Sequence, residues 1–451
     1  MDAFVKNDIL ELTVEGYSSE GFGVARHDGF VIFIPCAARG DLLSVRIVKV
    51  LKNHAFGRIE KILAPSGART EPECPLFPKC GGCDFLHLAY EEELRLKEER
   101  VFEALTRIGG FDVPFPAAVP SPKILRSRNK AIFPLQGTDK GTVFGFYRSR
   151  SHDVVPCRDC LINDEKASLL AAAVAKWADE YGVSIYDEYT HTGILRKVFT
   201  RRGKGGVLLC IAAAADRLPH IKELTEFCIS VCPELCGIVL NVNDKETNLA
   251  LSDKCVTLWG KPYLEDELSG NVFRLSPLSF YQVNRDQAEA LYGCVLSYAS
   301  PAADADALDL YCGVGTITLA LAKGFNKVAG AEIVPRAIDD ARENARLNGV
   351  SNAEFICADA GDAAELLDTR GFKPKTVVCD PPRKGMDKKA LDAVLSFEAE
   401  RIVYVACDPA SLARDAKYLC ENGYTLSEYK VFDMFPRTAN VETVALLIRT
   451  V

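Results

Sequence analysis

From about residue 273 to the C-terminus, short apolar runs alternate with stretches of helical periodicity. The runs at residues 307–311, 327–331, 353–357, 376–379, 401–406, 425–431 and 443–448 have the length and β-branched content of buried strands. Helical stretches such as 336–348 and 411–421 separate the first five. That alternation predicts a mostly parallel sheet with helices on both faces, a Rossmann-like α/β domain. The first 64 residues differ. Short β-rich runs at 9–14, 30–35, 42–51 and 56–63, broken by Gly16, Gly21, Gly23, Gly29 and Gly40, predict a small β-barrel. Between them lie a cysteine-dense loop at 71–84 and a charged helix at 90–108, with Leu94, Val101, Leu105 and Ile108 on one face. A proline-rich linker at 114–122 follows, then mixed α/β with strands at 142–147, 206–211, 237–242 and 247–251. Three domains are expected: a barrel at 1–64, a central α/β domain at 65–272 and the sheet domain at 273–451.

Composition narrows the class. With 48% hydrophobic and 26% charged residues the chain has the balance of a globular protein. No run approaches the ~18 apolar residues of a membrane span. The first residues lack the apolar stretch of a signal peptide, so a cytoplasmic location is expected, with no membrane and no obligate protein partner. Seventeen cysteines, an odd count, then suggest a reducing compartment, with metal or catalytic roles for a few. The net charge is −8, yet basic residues cluster. Residues 123–150 carry a net +6 and residues 196–204 a net +5, with Phe133, Phe144, Phe146, Tyr147 and Phe199 in or near them. Backbone neutralisation with aromatic stacking is how single-stranded nucleic acid is held, so both clusters are candidate RNA contacts as well as ordinary solvated faces.

Four motifs carry the chemistry. Cys312-Gly313-Val314-Gly315-Thr316 follows one strand and opens a helical run, and Glu332 ends the next strand. Glycines let the backbone approach a ligand, and a carboxylate at Glu332 can accept ribose hydroxyls. The further glycine of a dinucleotide loop is replaced by Thr318, which favours S-adenosylmethionine over NAD. Asp359 is placed either to meet an adenine or to cap a helix. Asp380-Pro381-Pro382 follows the fourth strand, with Arg383 where amino-group methyltransferases usually carry an aromatic. Cys407 ends the fifth strand, a placement that suits an exposed thiol nucleophile. All six histidines lie at or before His220, so a carboxylate must serve as base in the sheet domain, and Glu442 at the start of the last strand is the candidate.

Together these motifs resemble the S-adenosylmethionine-dependent RNA uracil-5-methyltransferases, the family of 23S ribosomal RNA and tRNA 5-methyluridine enzymes. The resemblance runs over nearly the whole chain, from a TRAM-like barrel to Ser279-Phe280-Tyr281-Gln282-Val283-Asn284 and the motifs above. It implies cofactor contacts from Gln282, Tyr311, Thr316, Glu332, Asp359 and Asp380, a nucleophile in Cys407 and a base in Glu442. Thr316, Asp408, Arg437 and Asn440 depart from residues common in the family. The implied reaction begins with attack of the Cys407 thiolate on uracil C6. C5 then accepts the methyl group, Glu442 removes the C5 proton, and the thiolate leaves.

The resemblance also implies a [4Fe–4S] cluster on Cys74, Cys80, Cys83 and Cys160. The spacing alone leaves open a tetrahedral zinc site on Cys80, Cys83, Cys157 and Cys160. The expected substrate is 23S rRNA. The alternatives are the T-loop uridine of tRNA, or a non-catalytic RNA-binding assembly factor.

Overall fold

The computed structural model describes residues 4–148, 151–246 and 249–450. The N-terminal strands Ile9–Tyr17, Gly23–His27, Phe30–Ile34, Leu42–Val50 and His54–Ala64 form a closed barrel. Alternation drives it: Leu12, Val14, Ile32, Ile34, Leu43, Val45 and Ile47 point inward and are buried. Gly57 has no room for a side chain, since a Cβ there would lie 2.3 Å from Val45. The strand Gly23–His27 escaped the sequence pattern because its five residues include glycine, alanine and two basic residues.

A seven-stranded sheet forms the middle of the molecule, in the order Cys255–Gly260, Leu235–Val242, Gly206–Ala213, Leu195–Gly203, Lys130–Thr138, Gly141–Tyr147, Val154–Pro156. The helices Glu165–Glu180 and Ile221–Val231 pack on it. The strand expected at 247–251 falls partly outside the described residues, and 249–251 is irregular; the edge strand starts at Cys255. The second basic cluster is mostly buried, and only Arg202 and Lys204 reach solvent. Arg196, Lys197 and Arg201 are buried, because their strand lies in the middle of the sheet. Arg196 pairs with Glu188 at 3.0 Å, and Arg201 donates to the Ser276 and Ser279 carbonyls at 3.0 and 2.7 Å. Phe133, Phe144 and Phe199 are core residues. In the first cluster Lys123, Lys140 and Arg148 are exposed, Arg126 pairs with Asp159, and Arg150 lies outside the described residues.

The C-terminal sheet has eight strands in the order Ala353–Cys357, Lys327–Glu332, Asp306–Leu310, Thr376–Cys379, Arg401–Ala406, Glu442–Arg449, Tyr424–Phe432, Ala118–Val119. The first five run parallel and Glu442–Arg449 is antiparallel to its neighbours. Helices cover both faces, giving the Rossmann-like α/β arrangement expected from the sequence. The helix Tyr90–Glu103 and the short strand Ala118–Val119 pack with this sheet. The helix buries Glu93, Leu96, Lys97 and Val101, whereas Ile108 is exposed, since a π-helical turn at Ala104–Gly109 rotates it away. Among the described residues no helix is long and apolar enough to cross a membrane.

Candidate active site

The carboxyl ends of the parallel strands open into a cavity of about 680 Å³. Such strand ends are where open α/β sheets bind ligands. Every cofactor and catalytic residue expected from the sequence lines it: Gln282, Tyr311, Thr316, Glu332, Asp359, Asp380, Cys407 and Glu442.

One rim is the loop after Asp306–Leu310. Tyr311, Gly313 and Gly315 adopt positive φ of 68°, 54° and 84°, which folds the chain tightly enough to open the helix Thr316–Leu321. A Cβ at Gly315 would also press on the Phe355 ring at 3.1 Å. The amide of Gly313 donates to Glu332 at 3.3 Å, so the loop and the carboxylate of the next strand are fixed together. Asp359 caps the helix Ala360–Thr369, accepting from the Asp362 amide at 2.9 Å, and also lines the cavity. The helix-capping reading of that residue therefore holds. Thr316 exchanges a hydrogen bond of 2.8 Å with the buried Tyr292 hydroxyl. Gln282 is buried, and its backbone carbonyl accepts from Asn129 at 3.0 Å.

The other rim is built by strand register. Ala406 pairs with Thr443 across antiparallel strands, so the next residue on one strand and the preceding one on the other, Cys407 and Glu442, emerge side by side. Leu310 pairs with Cys379, which brings Tyr311 and Asp380 out together. Asp380 is half-buried, and desolvation pushes its carboxyl up to about 7. Burial raises Glu442 well above the ordinary carboxylate range, Asp380 adds to this, and Arg383 opposes it. The Cys407 thiol is pushed up to about 11 by burial first, then by Glu442 and Asp380, with Arg383 lowering it. Arg383 in turn donates to the Asn440 side chain at 2.9 Å.

Two buried groups had no role assigned from the sequence. Asp309 accepts from the Thr318 hydroxyl at 2.6 Å, and burial raises it to about 7. Tyr292 lies on the helix Arg285–Ala299, where a tyrosine reads as ordinary core. Phe280 was quoted only as part of a motif, yet it is 67% exposed at the cavity wall.

A second cavity, of about 280 Å³, is lined by Cys74, Cys80, Cys83, Cys157 and Cys160 together with Arg128 and Lys130. Burial and then Cys160 push Cys83 up to about 12, and the same two causes act in that order on Cys157. The buried Nε of Arg128 has no acceptor among the described residues. Among those residues no three histidine, cysteine, aspartate or glutamate side chains are arranged around one metal-ion position, which holds alike for the zinc set and for the iron–sulfur set.

Residues 261–450 match the family described as tRNA (Uracil-5-)-methyltransferase, and residues 5–59 match the TRAM domain. An uncharacterised RNA methyltransferase of Halalkalibacterium halodurans is 40% identical over 445 residues, covering 98% of this chain and 97% of that one. One from Clostridium tetani is 39% identical over 445 residues, covering 98% and 96%. Among solved structures, the tRNA (uracil-54, C5)-methyltransferase of Pyrococcus abyssi, in complex with S-adenosyl-L-homocysteine, superposes with a TM-score of 0.79 at 27% identity, covering 97% of this chain and 100% of that one.

Proposed function

Given that this chain belongs to the RNA uracil-5-methyltransferase family and is an S-adenosylmethionine-dependent RNA methyltransferase with a TRAM domain, we propose that it methylates uracil C5 in 23S rRNA. The observation that carries the chemistry is the register that sets Cys407 beside Glu442 over the large cavity.

Uracil C5 is too weak a nucleophile to take a methyl group directly. Attack of the Cys407 thiolate on C6 forms a C–S bond and moves the electron pair into an enolate over C5, C4 and O4. Bound S-adenosylmethionine would supply the electrophilic methyl group: C5 bonds to it as the methyl–sulfur bond breaks, and S-adenosylhomocysteine leaves with that electron pair. Glu442 as carboxylate then takes the C5 proton, and the returning electron pair expels the Cys407 thiolate. Asp380, held near neutrality by burial, is matched to donate to or accept from the uracil edge. Arg383 lowers the thiol and faces the site where enolate charge develops. Gln282, Tyr311, Thr316, Glu332 and Asp359 are assigned to the cofactor, with Glu332 on the ribose and Asp359 near the adenine. Extruding the target base from a stack costs a few kcal/mol, and the exposed Phe280 ring offers a surface that could recover part of it.

The cysteine cavity suits a [4Fe–4S] cluster held by Cys74, Cys80, Cys83 and Cys160. Several thiols line one space, and an orphaned Arg128 Nε and Lys130 lie beside it to meet anionic sulfur. Its role is proposed to be structural. Iron and acid-labile sulfide in anaerobically purified protein test it, and stoichiometric zinc without iron would overturn it.

Ribosomal RNA is favoured by the barrel combined with the cysteine loop. The tRNA reading has its own support, because the P. abyssi tRNA enzyme matches 97% of this chain, so the barrel region alone does not separate the two. The test is incubation with S-adenosylmethionine and 5-fluorouridine-substituted 23S rRNA or tRNA, followed by a denaturing gel. Fluorine at C5 blocks the final proton removal, so the true substrate stays bound to the protein. An adduct on 23S rRNA that is lost in Cys407→Ala supports the proposal. An adduct on tRNA alone moves the substrate, and none on either RNA overturns the uracil chemistry.

A further inference from the structure

The helix Tyr90–Glu103 lies outside the parallel sheet, yet one of its side chains reaches both halves of the catalytic centre. Arg100 Nη1 donates to the Ala439 carbonyl at 2.5 Å, and its Nη2 lies 3.7 Å from Asp408 Oδ2. Asp408 directly follows Cys407, and its other carboxylate oxygen caps the next helix through the Ser411 amide at 2.9 Å. Ala439 directly precedes Asn440, which holds Arg383 at 2.9 Å, and Glu442 begins two residues further on. The Ala439 amide is also fixed, donating to Asp84 at 2.9 Å. The Arg100 side chain is 20% exposed, at the back of a groove of about 340 Å³ between the barrel and Asp408.

We propose that Arg100 is a positioning residue for the methyl-transfer reaction, its forked guanidinium tying the nucleophile loop to the base loop and holding Cys407 and Glu442 in register. This rests on the roles given above to those two residues. A planar fork suits the task, because two acceptors on different loops must be met at once. The charge has a second consequence. Asp408, Arg383 and Cys407 are the charged or ionisable groups that act on Arg100, while Glu442, Asp380 and Arg383 act on Cys407. The Cys407 thiolate raises Arg100, so by reciprocity Arg100 favours the thiolate, as Arg383 does.

The test compares Arg100→Met and Arg100→Lys with wild type in two assays. The first, without RNA, follows alkylation of Cys407 by iodoacetamide against pH, read by mass spectrometry of its peptide. The second is steady-state RNA methylation. Arg100→Met should move the alkylation midpoint to higher pH and lower kcat about 10²-fold, the cost of a small misplacement, with KM for RNA changed less than about threefold. Arg100→Lys, which keeps the charge but reaches only one acceptor, should restore the alkylation profile and recover kcat only in part. Wild-type kcat and an unmoved profile in Arg100→Met would overturn the proposal. So would a change confined to a KM for RNA raised about tenfold or more, which would make Arg100 a phosphate contact in the groove. Should Arg100→Met fail to fold, full kcat in Arg100→Lys is the refuting result. The alkylation profile reads the link to Cys407 whether or not uracil is the substrate, so failure of this inference is distinct from failure of the proposed chemistry.

Discussion

Replacing Glu442 by glutamine changes two steps in opposite directions. The amide keeps the shape of a buried side chain at the start of its strand and removes the carboxylate that antiparallel register sets beside Cys407. As a base, Glu442 is worth roughly 10²–10⁴-fold in the step that takes the C5 proton. Its second effect is on the nucleophile. Cys407 is pushed up to about 11 by burial and then by Glu442, so losing that charge lowers the thiol pKa. A fall of one unit gives about tenfold more thiolate. This gain grows with pH, because Glu442 itself is raised well above the ordinary range and repels the thiolate only once ionised. Methyl transfer should therefore be unimpaired, or faster at alkaline pH, while release slows by the full base contribution. The assay is a single turnover with methyl-labelled cofactor and unmodified RNA, quenched into denaturant and run on a gel. Labelled RNA should accumulate as a covalent protein adduct that wild type shows only in passing. Rapid release of methylated RNA at the wild-type rate would refute the reasoning, as would a variant that forms neither adduct nor product but alkylates normally at Cys407.

Other outcomes follow from groups around the site. Lys97 is fully buried between Glu93 at 2.7 Å and Asp433 at 2.5 Å, so Lys97→Met should cost about 3–5 kcal/mol in denaturant unfolding by leaving two buried carboxylates with Arg437 as their one cation among these contacts. An unchanged midpoint would exclude the triad as a stabilising device. Asp309 has a folded-state pKa of about 7 against an ordinary 3.8, so its ionisation penalises folding. The penalty is absent below the unfolded pKa, grows as pH rises towards 7, and saturates above it at on the order of 4 kcal/mol. Asp309→Asn should therefore raise Tm at pH 8–9 and leave it unchanged near pH 4, and a pH-independent difference would contradict the assignment. Cys83→Ser should lower both iron content and Tm, and iron bound at wild-type stoichiometry would remove Cys83 from the ligand set.

What the sequence made legible was local. Strand ends in the C-terminal domain were found almost to the residue, because buried parallel strands are short continuous apolar runs. The places of Cys407, Asp380 and Glu332 at the cavity were legible for the same reason: each ends or follows such a strand. Charge patterning failed where burial decided the outcome. Arg196, Lys197 and Arg201 look like a solvated basic face in one dimension, but their strand runs through the middle of a sheet, where Arg201 serves backbone carbonyls instead of phosphate. The helical face at 90–108 failed differently, because the apolar positions alone could not reveal that a glutamate and a lysine are buried with them. Their partners lie far along the chain. Lys97 and Asp433 are separated by 336 residues, and Glu93 meets the Arg437 amide across 344. These contacts support the loop that runs into Glu442. No spacing rule reaches that distance, so the positions of Cys407 and Glu442 could be read from strand ends while the scaffold that aims them could not. That division has a physical basis. A strand end fixes where a side chain emerges, whereas the direction of the loop beyond it is set by whichever distant element satisfies its backbone groups.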